Sequence, residues 1–245
     1  FANTGTVTLG NGSDTINFTG GVVATAPSAV SVNGTVTAAG TGVITLGDSD
    51  TGIAIGGTSR IGGTSTGNIT LGAATLVDSA TLTVGTGIAN AISLSSVSGT
   101  ASGTSSNLTI NTTGAVTVSG AIGTDIGTIT ITNSGGTTFS STVSAATVAI
   151  TSTTAGNAVT FADNLTLTSG MTVGAGSAAY NVAINGTTNT IAGTTTFTNT
   201  GTVTLGNGSD TINFTGGVVA TAPSGVNVAG TITAAGTGVI NLGVP

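Results

Sequence analysis

The sequence predicts an all-β protein, a parallel β-helix solenoid that winds through about ten coils in each 196-residue repeat. Three observations carry that expectation. Short segments in which Val, Ile or Leu alternates with Thr recur along nearly the whole chain, Gly, Asn, Asp and Ser punctuate them every few residues, and the chain repeats itself over a long period. Residues 1–47 return almost letter for letter as 197–243, and 3–28 match 199–224 without a change, which sets the period at 196 residues. Where the copies differ the changes are mild or fall on outward positions: Val36 becomes Ile232, Ser31 becomes Asn227, Asn33 becomes Ala229 and Thr45 becomes Asn241. Residues 1–196 thus read as one full repeat, and 197–245 as the start of the next, continuous with the same solenoid.

Taken in order, the segments favour strands and exclude helices. Thr6-Val7-Thr8-Leu9 alternates out and in, Gly10-Asn11-Gly12-Ser13 forms a corner, and Thr15-Ile16-Asn17-Phe18 resumes the alternation. The same pattern follows at Val43-Ile44-Thr45-Leu46, Ile53-Ala54-Ile55, Ile69-Thr70-Leu71, Leu82-Thr83-Val84, Leu108-Thr109-Ile110 and Val116-Thr117-Val118. It continues at Ile129-Thr130-Ile131, Val148-Ala149-Ile150 and Leu165-Thr166-Leu167. The inward members are β-branched or Leu, the outward ones mostly Thr, and no i, i+3, i+4 stripe survives for three helical turns.

A sandwich would also use short strands and turns, so a coil period has to decide between the two. Phe139, Phe161, Tyr180, Phe197 and Phe214 follow one another at nearly even intervals, and Phe1 and Phe18 repeat the last of them. If these rings fall in one column of the core, a coil takes about 19 residues, and the chain makes a rod of roughly 12 or 13 coils, on the order of 60 Å long at about 4.8 Å per coil.

Composition narrows the function. Arg60 and seven Asp are the only charged residues, the net charge is −6, mean hydropathy is +0.51, and Lys, Glu, His, Cys and Trp are absent. One Arg cannot neutralise a row of phosphates, which excludes nucleic acid as an expected partner. No apolar run approaches the ~20 residues of a membrane-spanning helix. The lack of His, Lys and Glu leaves little for acid–base catalysis, so no enzyme activity, cofactor or metal is expected.

Four patterns could still carry chemistry. Gly10-Asn11-Gly12-Ser13-Asp14-Thr15-Ile16, returning as 206–212, resembles the calcium-binding nonapeptide of RTX proteins but has Leu9 where the first Gly belongs. The alternative is an ordinary corner in which Asp14 and Asp210 accept backbone N–H groups. Asp48 and Asp50 would share a face if their segment is extended, as acids do in β-helical polysaccharide-cleaving enzymes, yet Asp48 gives way to Val244 in the second copy. Thr pairs recur at Thr6/Thr8, Thr35/Thr37, Thr81/Thr83, Thr128/Thr130/Thr132 and Thr166/Thr168. A water-ordering threonine ladder like that of some antifreeze proteins needs such residues at one coil position on successive turns, and their uneven spacing argues instead for plain β-propensity. Asn-x-Ser/Thr sequons occur at Asn11, Asn17, Asn33, Asn68, Asn107, Asn111, Asn164, Asn185, Asn207 and Asn213, of which an outward one such as Asn68 is a candidate for glycosylation.

These low-charge Val/Thr/Gly/Asn strand repeats resemble the filamentous-haemagglutinin-like proteins and autotransporter passengers of bacterial surfaces. The resemblance spans the whole chain and is one of composition. It implies right-handed coils and an extracellular or cell-surface role as an adhesin or fibre, and it transfers no site residue. The expected partners are copies of the chain itself, assembled end to end or laterally, or further repeats of the same chain. The runner-up is a binding module that recognises a glycan or a host surface.

Overall fold

The computed structural model describes residues 1–243; Val244 and Pro245 lie outside the described residues. The described residues form 28 strands and no helix, and all of their pairings are parallel. The solenoid makes about ten turns, each with one extended segment on each of three faces, and in the later coils strands such as Val143–Ile150 and Thr202–Phe214 run round a corner and serve two faces. The first coil shows the plan: Thr6–Leu9 opens the first face, Thr15–Phe18 the second and Val22–Ala24 the third. On the first face Val7 is followed in register by Val30, Ile53, Ala74, Val97, Ile122, Val143 and Leu165. On the second, Ile16 is followed by Val36, Ile61, Val84, Ile110, Ile131, Ile150, Val173 and Phe197. On the third, Val22 leads through Ile44, Ile69, Ile92 and Val116 to Thr137, Val159, Val182, Val203 and Val226.

Alternation dictates this packing. With a side-chain period of two, each strand sends its Val, Ile and Leu inward and its Thr and Ser outward. The inward residues of all three faces merge into one continuous core. Burying each such side chain contributes about 1.5–3 kcal/mol, while the strand N–H and C=O groups bond to the coils on either side.

Two expectations about dimensions are corrected. The step between register partners is shortest from Ile131 to Ile150 and longest from Val84 to Ile110, and nearly every other step exceeds the shortest. The coil is therefore longer than the aromatic spacing suggested, the 196-residue period spans fewer than ten coils, and ten turns at about 4.8 Å give a rod of roughly 50 Å rather than 60. The aromatic residues do not make one column. Only Phe139 and Phe161 stack in register, on the third face, with centroids 4.9 Å apart and rings 3° from parallel. Phe197 belongs to the second face and Phe214 to the first, and their rings meet edge to face at 6.4 Å. The interval from Phe197 to Phe214 thus carries the chain from one face to another rather than once around.

The duplicated segment is seen in two settings. In the first coil Phe18 is half-buried and Asp14 exposed, whereas Phe214 and Asp210, with a coil stacked beneath them, are buried. The alternation of inward and outward residues is the same in both copies.

Candidate functional site

The chain's few charges lie mainly at corners, where the strands turn from one face to the next. At the Gly-Asn-Gly corner the Asp14 Oδ2 accepts the Asn11 N–H at 2.9 Å, and in the second copy Asp210 Oδ2 accepts the Asn207 N–H at 2.7 Å. Each carboxylate closes its own turn by accepting the N–H of the residue three before it. Glycine is needed there: Gly10 has a φ of 81°, and a Cβ on it would collide with the Asn33 carbonyl oxygen of the next coil. Among the described residues no three His, Cys, Asp or Glu side chains gather into a group that could hold a metal ion.

Asp48 and Asp50 do not share a strand face. Their segment bends between the third and first faces, and Asp48 Oδ1 accepts the N–H groups of Asp50 at 3.0 Å and Thr51 at 2.9 Å. Those two bonds hold the Asp48 carboxyl below its ordinary pKa, because they favour the charged form. Thr51, buried, donates its own hydroxyl to the Thr25 and Pro27 carbonyls of the preceding coil. The Asp48 carboxylate therefore serves to close this corner.

The outward threonines are ordered more strictly than their spacing suggests. On the third face Thr45, Thr70, Ser93, Thr117, Thr138 and Thr160 follow one another in register through six coils. On the second face Thr83, Thr109 and Thr130 do the same, with Arg60 between Thr35 and Thr83. Uneven spacing in sequence is uneven corner length, so hydroxyls separated by steps as different as Thr45 to Thr70 and Thr117 to Thr138 still fall in one column. Beside the third-face column runs a shallow cleft of about 370 Å³, whose lining includes Thr45, Thr70 and Ser93 of the column together with Asp48, Ser49, Ser95, Leu71 and Leu94.

A second polar series escaped the sequence reading because it points inward. At the corner between the second and third faces, Ser65 donates to the carbonyls of Gly40 and Gly42, and Asn90 donates to those of Ser65 and Gly67 at 2.6 and 2.7 Å. Thr112 donates to Ile88 and Asn90 at 2.7 and 2.6 Å, and further along Ser134 meets Thr153 at 3.2 Å. Ser65, Asn90 and Thr112 each reach back one coil and bond to main-chain oxygens of its corner, of which those of Gly40 and Ile88 also accept backbone N–H groups. The available signal was local: in Ser65-Thr66-Gly67 and Thr112-Thr113-Gly114 the hydroxyl also accepts the glycine N–H two residues on, which is the mark of a hydroxyl-closed turn. Tyr180 takes the next place differently: its hydroxyl donates to the Gly174 carbonyl at 2.6 Å, and burial pushes its pKa up to about 12. Asn199, buried, then resumes the series by donating to the Tyr180 carbonyl of the preceding coil at 2.9 Å.

Of the sequon asparagines, Asn11, Asn17, Asn68 and Asn207 are exposed, whereas Asn107 and Asn164 use their side-chain oxygens on the backbone N–H groups of Thr128 and Thr188. No family model, curated protein or solved structure matches the chain.

Proposed function

We propose that this chain is a structural segment of a long tandem-repeat β-solenoid that forms a stiff fibre outside the cell or on its surface, in the manner of filamentous-haemagglutinin-like and autotransporter-passenger proteins. The observation that carries the reading is the duplicated segment. The same residues serve as a first coil and as an interior one with an unchanged inward pattern, so duplication lengthens the rod without requiring a new kind of interface. The partners are then further repeats of the same chain or copies of it, joined end to end or side by side. Right-handed winding is proposed on the general preference of parallel strand connections. An extracellular place is supported by a surface made polar by hydroxyls and amides, with a single trypsin-type cleavage site and exposed sequons. The reading includes no catalysis, since the carboxylates at Asp14 and Asp48 are engaged in turns and the chain has no His, Lys, Glu or Cys.

The third-face cleft favours a second reading, an adhesin that lays a neutral glycan along its hydroxyl column. Electron microscopy of the purified protein separates the two. Filaments with a meridional repeat near about 4.8 Å are expected for the fibre. Compact, monodisperse particles that bind an immobilised glycan would overturn it in favour of the adhesin.

A further inference from the structure

The repeat of the sequence and the turn of the solenoid are out of step. Residues 6–9 lie on the first face, but their identical copies at 202–205 lie on the third, in register with Asn181–Ile184. Thr15–Phe18 lies on the second face and its copy, 211–214, on the first, in register with Thr188–Ile191. Val22–Ala24 lies on the third and its copy, 218–220, on the second. The shift is the same for all three strands. From Thr6 to Thr202 the chain completes eight coils and two of the three sides of a ninth.

We infer that the 196-residue repeat turns by one third about the rod axis each time it recurs, so that a tandem array is a threefold screw. This deepens the fibre reading and rests on it for arrays longer than this chain. One repeat advances ~42 Å, and three repeats make about 26 coils, ~125 Å, before a feature returns to the same side. The Gly-Asn-Gly corner at 10–14, whose copy at 206–210 keeps Asn207, Gly208 and Ser209 exposed, therefore faces two directions within this chain and three in a longer array. The hydroxyl column of the third face is redistributed in the same way.

The consequence is an interaction geometry. A partner that recognises one surface of the repeat is held on three sides of the rod in rotation, and a second rod that packs on that surface is joined by others in three directions. Lateral association gives bundles rather than flat ribbons. The inward pattern tolerates the rotation because each face asks only for alternating apolar residues, so a copied segment fits whichever face it reaches.

The test uses this chain at dilutions where single molecules are present. It has no cysteine, so each introduced pair is the only site for a label. Spin labels on the pairs T8C/S98C and T117C/T204C are each expected to lie four coil steps apart, ~19 Å. Pyrene on S93C/T117C, register neighbours, is expected to give excimer emission, and pyrene on S98C/T117C to give none. If the repeat were in phase, Thr8 and Thr204 would share a face, and Ser98 would then lie directly beneath Thr117. Excimer emission from S98C/T117C, or either spin distance displaced by a coil step or more, would overturn the inference. All the substituted side chains are outward, and circular dichroism checks that each variant keeps its β-structure. Absence of filaments under the microscope would sink the fibre reading while leaving these distances unchanged.

Discussion

Thr137 sits in a stack of inward side chains between Val116 and Val159, wholly buried, and its hydroxyl has no hydrogen-bond partner. Valine has nearly the same shape without the hydroxyl, and a buried unpaired hydroxyl costs about 1–3 kcal/mol. Thr137→Val is therefore expected to stabilise the protein by about 1 kcal/mol, read as a raised urea midpoint, and Thr195→Val, also buried and unpartnered, to act likewise. Asp48 gives a pH signature of known sign. Its folded pKa lies below the unfolded value, so its turn bonds stabilise the fold at neutral pH and cease to do so as pH falls through that depressed value, below 3.8. Asp48→Ala should lower the melting temperature at neutral pH, and the gap between variant and parent should close in acid below pH 3.8. Alternation in sequence was enough to place Val7, Ile53 or Leu82 inside, because a period of two leaves one choice per residue. It could not place Asn90 or Thr137, whose polar side chains are buried against the pattern, one to bind the coil beneath and the other with no partner at all.

At the scale of the element, the stacked pair Phe139 and Phe161 and the inward ladder of Ser65, Asn90 and Thr112 add side-chain links between coils to the backbone pairing of their strands. Phe161→Ala is expected to cost about 3–5 kcal/mol through the cavity it leaves. Asn90→Ala releases two carbonyl oxygens from the preceding coil and should cost about 1–3 kcal/mol. Thr117→Ala, by contrast, removes an outward hydroxyl and should change stability by no more than about 0.5 kcal/mol. Equilibrium urea unfolding ranks the three, and parity between the Asn90 and Thr117 variants would refute the role given to the ladder. Close approach explains another sensitive point: a Cβ on Gly67 would lie 2.5 Å from the Gly42 oxygen, so Gly67→Ala must push two corners apart. Strands such as Ile69–Leu71 and Val116–Val118 were legible in the sequence. Coil length was not, because it is set at corners, which have no periodicity, and the aromatic residues that offered a ruler belong to three different faces.

For the whole molecule, stacking makes each coil depend on its neighbours and makes the backbone hard to reach. Arg60 is exposed, yet its strand, Thr58–Gly63, is paired on one side with Thr35–Ala38 and on the other with Thr81–Val84. Trypsin is expected to leave the native 22.7 kDa chain intact and to cut it once after unfolding; rapid cleavage of the native protein would show that this coil opens by itself. The long duplication was plain from the sequence, but the face on which each copy falls depends on the summed lengths of all the intervening corners, from which no single residue can be singled out. Those same corners allow uneven growth. The longest step, from Val84 to Ile110, carries its surplus in 100–105, every one of them exposed, while the strands on either side keep their register. A foreign peptide spliced in at Ser102 would be borne at a fixed height and bearing on a rigid shaft, which makes that corner a natural graft point for epitope display.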